Sequence, residues 1–194
     1  PFAPAWVCFQ LGVLWGEQAP QPRPARAMQW YEAAVAYLPG YVKARVHWAE
    51  LLCARHDFAR AEQVLLPALS STDPEVHWRF AEVSEALGRP TQASSYLARA
   101  TQGFEQLLAR HPLAFADHAV HFFLGSGSDP VRALKFAMLD LSNRPTLRAF
   151  ETAHAATQEA GLHEQAESLS KTARSLWAHS RAFRSSPFSC DAGH

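Results

Sequence analysis

His56-Asp57-Phe58-Ala59-Arg60-Ala61 is a short polar turn that opens a helix, with an alanine one turn inside it. The arrangement returns as Gly88-Arg89-Pro90-Thr91-Gln92-Ala93, as Ser128-Asp129-Pro130-Val131-Arg132-Ala133 and as Gly161-Leu162-His163-Glu164-Gln165-Ala166. Counting from Ala27, the five alanines stand 34, 32, 40 and 33 residues apart. A proline or polar break follows at Pro39, Pro74, Pro112 and Pro145. A period in the low thirties, with one helical hairpin per unit and the turn chemistry in phase, is the signature of an α-solenoid. The expected fold class is all-α: a right-handed α-α superhelix of about five hairpins.

The breaks set the expected boundaries. Hairpins are read at about residues 4–38, 41–71, 74–110, 112–142 and 146–183, in one domain spanning 1–183. In each, the first helix is A and the second is B. Ser71-Thr72-Asp73-Pro74-Glu75 is the strongest restart. It combines a polar cap, a proline in the first turn and an acid beside the helix N-terminus. Residues 184–194 are Ser-rich and are expected to be a flexible tail.

Composition narrows the function classes. Lys+Arg and Asp+Glu number 18 each, a formal net charge of zero. A surface for nucleic acid needs a positive excess, so no nucleic-acid partner is expected. No run is long and apolar enough for a membrane span. The three cysteines, Cys8, Cys53 and Cys190, form no CxxC pair, which points to a reducing, cytoplasmic setting. The chain opens at Pro1 almost inside a helix, so it reads as a fragment or as the end of a longer protein. The first helix is apolar on several sides, with Phe2, Trp6, Val7, Phe9, Leu11, Val13, Leu14 and Trp15. It is expected to pack on something beyond the chain, either preceding sequence or a second copy.

Phe9-Gln10-Leu11-Gly12-Val13-Leu14-Trp15 and Ala27-Met28-Gln29-Trp30-Tyr31-Glu32-Ala33-Ala34, closed by Pro39, resemble the two sequence blocks of the tetratricopeptide repeat (TPR) family. Ala61 with Leu65, Ala68 and Leu69 repeats the second block, as do Ala93 with Leu97 and Ala100, and Ala166 with Ser170 and Ala173. The copies are degenerate: Ala49, Ala81, His121 and His154 replace the helix A glycine that Gly12 keeps. The resemblance implies that the A helices line a concave groove that binds a peptide or a partner helix. Lys43, Val46, Glu50, Trp78, Glu82, Glu85, Phe115, His118 and Phe122 would then face it. Trp78 and Phe122 are expected as apolar anchors, and Glu50, Glu82 and Glu85 as selectors of a basic segment. The Lys/Asn clamp that some members use for a C-terminal carboxylate is missing, since the sole asparagine is Asn143.

No catalytic constellation is found. GxGxxG, GxxxxGK[ST], GxSxG and HExxH are all absent. Asp117-His118-Ala119-Val120-His121 puts two histidines at i and i+3 beside an acid, but no third ligand is identifiable, so no metal or other cofactor is expected. The expected role is a non-catalytic protein–protein interaction scaffold. The alternative is an accessory domain of a larger enzyme or of a secretion or assembly machine, with the groove used for intramolecular contacts.

Overall fold

A computed structural model describes residues 1–19 and 21–189. They hold ten α-helices and no strand, so the fold is all-α. The chain divides into two compact units, Pro1–Gly103 and Phe104–His194.

The first unit contains α1 (Phe2–Val13), α2 (Pro24–Tyr37), α3 (Val42–Cys53), α4 (Phe58–Leu65), α5 (Pro74–Ala86) and most of α6 (Pro90–Arg110). A π-helical turn, Leu14–Gln18, continues α1, and a 3-10 turn, Leu66–Ala68, continues α4. Helix α1 packs on α2, α3 on α4, and each hairpin then packs on the next through α2–α3, α4–α5 and α3–α5. Tyr96 of α6 meets Phe80 of α5 edge-on at 4.7 Å between ring centroids. The second unit repeats the scheme with α7 (Pro112–Leu124), α8 (Pro130–Asn143), α9 (Leu147–Glu159) and α10 (His163–Trp177). There α7 packs on α8, α9 on α10, and α8 and α7 both on α9.

Small residues set the packing distance. Ala27, Ala61 and Ala133 are fully buried, and Ala93 and Ala166 nearly so. Gly12 does the same for the first hairpin: the Tyr31 ring lies where a side chain on Gly12 would be. Helix packing by ridges and grooves needs such short residues wherever backbones approach closely.

The turns explain why the period is visible. After α3, α5, α7 and α9 the chain enters the left-handed region at His56 (φ 59°), Gly88 (φ 73°), Ser128 (φ 45°) and Gly161 (φ 75°). Each stands five residues before a periodic alanine. The next amide then bonds back into the finished helix: Asp57 to Leu52 O, Arg89 to Ser84 O and Leu162 to Thr157 O. This reversal ends one helix while the following residues begin another. Asp57 and Asp129 cap the new helix by accepting from the amides of Arg60 and Arg132.

The expectation of a flexible tail is corrected for residues 184–189. They belong to two 3-10 turns, Ala182–Ser185 and Pro187–Ser189. Phe188 is 1% exposed and packs with Phe150, Ala173 and Phe183. The Arg174 guanidinium donates to its carbonyl at 3.2 Å. The physical reason is two phenylalanines that a Ser-rich reading underweighted. Residues 190–194, Cys190 among them, lie outside the described residues.

Candidate functional site

In the first unit, polar side chains from three elements converge. The π-helical turn contributes Glu17, α3 contributes His47 and Glu50, and α5 contributes Trp78, Arg79 and Glu82. His47 and Glu50, like Arg79 and Glu82, are i,i+3 pairs, the spacing at which helical neighbours meet.

Arg79 is the centre. Its guanidinium bridges α5 to α3 by donating to Glu50, and it donates to Glu82 Oε2 at 3.0 Å. Its guanidinium carbon also lies over the Trp78 ring, 3.6 Å from the centroid. The Trp78 indole N–H donates to Glu82 Oε1 at 2.7 Å. Burial alone would lower the Arg79 pKa, but Glu50 and Glu82 outweigh it and raise it. The side chain is therefore a fixed cation between two carboxylates.

His47 continues the network. Its Nδ1 is 3.0 Å from Glu17 Oε1 and 3.5 Å from Glu50 Oε2. The ring is walled by Phe9 and Tyr31, at 5.3 and 5.6 Å between centroids. Burial pushes its pKa down, but the Glu17 hydrogen bond and the charges of Glu50, Glu17 and Glu75 push it above the usual histidine value. Cys53, one turn beyond Glu50, is an unreactive thiol: desolvation first, then Glu82 and Glu50, lift its pKa to about 11 against the opposing pull of Arg79.

The sequence-based residues divide accordingly. Glu50, Trp78 and Glu82 are brought together. Lys43 and Glu85 are exposed, at helical spacing from Glu50 and Glu82 on α3 and α5. Val46 is a core residue at 2% exposure. Trp78 is only 4% exposed and is roofed by Arg79, so it is no open apolar anchor. In the second unit Phe122 is fully buried, stacked on Phe104 at 4.7 Å and edge-on to Phe123 at 5.2 Å. It is a buried side chain of that unit rather than part of an open surface. Phe115 and His118 are partly buried.

Sequence reading missed Glu17, His47 and Arg79. The two i,i+3 pairs were a usable signal for His47 and Arg79. Nothing in the sequence announced Glu17, because its reach to His47 depends on the π-helical turn.

The histidine pair of α7 is described by its neighbours. Asp117 accepts from Arg144 Nη2 at 3.0 Å, and Arg144 also donates to Asp140 at 2.8 Å. Among the described residues no group of three or more His, Cys, Asp or Glu side chains is placed to hold a metal ion. No described helix is long and apolar enough to cross a membrane.

No protein-family model matches the chain, and no curated protein matches it. Solved structures similar to it include two of MamA and one of YrrB, the latter described as a TPR protein with an unusual peptide-binding site. One MamA structure is 15% identical, with 89% of this chain and 91% of that one covered and a TM-score of 0.44. The other is 16% identical, with 78% and 87% covered and a TM-score of 0.41. YrrB is 17% identical, with 83% and 82% covered and a TM-score of 0.44.

Proposed function

We propose that the chain is a protein-interaction scaffold whose first unit holds a Lys- or Arg-bearing segment of another protein against the face made by α3 and α5. One observation carries this reading: a half-buried acidic network lies beside an exposed carboxylate on the same helix. Glu17, Glu50 and Glu82 share Arg79 and the titratable His47, and Glu85 stands exposed one turn beyond Glu82. An incoming ammonium or guanidinium would meet the exposed Glu85 carboxylate at the edge of this network. The carboxylates are already oriented by Arg79 and the Trp78 indole, so little side-chain freedom is lost on binding. Charge pairing of this kind speeds association and weakens with salt. With Trp78 covered by Arg79, this reading implies modest, transient affinity rather than a permanent complex.

The test is fluorescence anisotropy with three labelled peptides of matched length, rich in Lys, in Gln or in Glu. The Lys peptide is expected to bind best, to weaken as salt rises, and to lose affinity several-fold with Glu85→Lys, an exposed change that leaves the network intact. Equal binding of the three peptides, or no effect of Glu85→Lys, refutes the assignment.

A further inference from the structure

The second unit carries an apolar trough on its B helices, lined by none of the residues expected to face a groove. It is open to solvent and has a volume of about 520 Å³. One lip is Glu105, Leu108 and Ala109 of α6, continued by Pro112. The other is Arg132, Lys135, Phe136 and Leu139 of α8, with Phe123 of α7 at its side.

Glu105, Leu108 and Ala109 on α6 stand at i, i+3 and i+4, and Arg132, Lys135, Phe136 and Leu139 on α8 at i, i+3, i+4 and i+7. These are the ridges that one helix offers to the grooves of another. Two such ridges flanking an open apolar channel make a seat for a third helix, the groove mode of helix recognition.

Charge selects which helix. Both cations sit on α8. Arg132 bridges the trough to Glu105 at 2.8 Å, is held by Asp129 at 3.2 Å, and covers the Phe123 ring at 5.3 Å. Lys135, one turn further, is exposed, and its ammonium lies 5.4 Å from the Phe136 centroid. No carboxylate among the described residues pairs with Lys135. The lip thus presents an apolar channel beside one uncompensated cation.

We infer that this trough docks an amphipathic helix of a partner protein, with its apolar face between α6 and α8 and an acidic residue on Lys135. This surface is separate from the face proposed above, and its occupant has the opposite charge. A chain with both would join a basic segment at its first unit to an acidic helix at its second.

The probe is a fluorescein-labelled synthetic helix of about 16 residues, long enough to be partly helical in water. Leucines occupy i, i+3, i+4 and i+7, and glutamates flank them. A matched peptide carries lysines in place of the glutamates. The glutamate peptide is expected to bind at least tenfold tighter than the lysine peptide. Lys135→Glu should reverse that order. Ala109→Arg, at an exposed position that leaves folding intact by circular dichroism, should remove binding by filling the channel. Amide shifts in an isotope-labelled sample should move at Ala109, Lys135 and Leu139 and not at Glu50 or Glu82. Equal binding of the two peptides, shifts confined to α3 and α5, or survival of binding in Ala109→Arg overturns the inference. So does Lys135-dependent sedimentation with phosphatidylserine vesicles by a protein that binds neither peptide.

Discussion

Replacing Gly12 by alanine sets two physical effects of opposite sign against each other. In a helix interior, alanine is favoured over glycine by about 1 kcal/mol. Against this, the added methyl group would lie 2.8 Å from Tyr31 Cζ and closer still to Cδ1 and Cε1. The ring cannot easily retreat, since it is 1% exposed and packed against Phe9 and His47. Overpacking of this kind costs roughly 1–3 kcal/mol, so the steric effect should win, with a net loss of about 1–2 kcal/mol. For a chain of this size that is a fall of about 3–6 °C in Tm. Differential scanning calorimetry of Gly12→Ala measures it. The same change in a Tyr31→Val background, where the ring is gone, should become stabilising by about 1 kcal/mol. A Tm that is unchanged or raised by Gly12→Ala alone would show that α1 and α2 are not in the tight contact described.

Four other outcomes are expected. Ser128→Gly should stabilise the second unit by about 0.5 kcal/mol in urea denaturation, because glycine accepts the left-handed conformation without the Cβ penalty. Phe188→Ala should destabilise that unit by about 3 kcal/mol, measured the same way, and a neutral result would mean that the C-terminal turns add nothing to the core. The pKa of His47 is raised in the fold, so the stability it contributes is fully present below the unfolded histidine value near 6.5 and is lost as pH rises through the higher folded value. Tm should therefore fall across that window, and His47→Gln should flatten the profile. Cys53, with its pKa raised to about 11, should resist iodoacetamide at pH 8 in the native protein and react after denaturation, read by peptide mass spectrometry.

Helix hairpins were legible because their signals are local. A turn residue, a cap and an alanine lie within six residues of one another, and the order survives the degeneracy of everything between. Burial of large side chains was not legible in the same way. Trp78 and Phe122 were placed on a binding face by the family resemblance and helical phase, yet one is roofed by its neighbour Arg79 and the other is stacked on Phe104, a residue in α6. Phase tells which side of a helix a residue occupies, not what another element brings to cover it. The ion network was half legible for the same reason: i,i+3 pairing is written in the sequence, while the bridge from Arg79 to Glu50 depends on α5 packing against α3. The C-terminal turns failed the compositional reading because two buried rings outweighed several serines.

The left-handed turns also bear on how the chain acquires its shape. A hairpin that reverses over three to five residues closes a short loop, and short loops carry a small entropic penalty to close. Each hairpin should therefore form early, within microseconds, leaving the docking of hairpin on hairpin as the slow event. The turn after α7 is the exception. There the returning amide is that of Asp129, which bonds to Phe123 O across six residues instead of five. That wider reversal closes a longer loop than the turns after α3, α5 and α9, so the α7–α8 hairpin should close more slowly than those three.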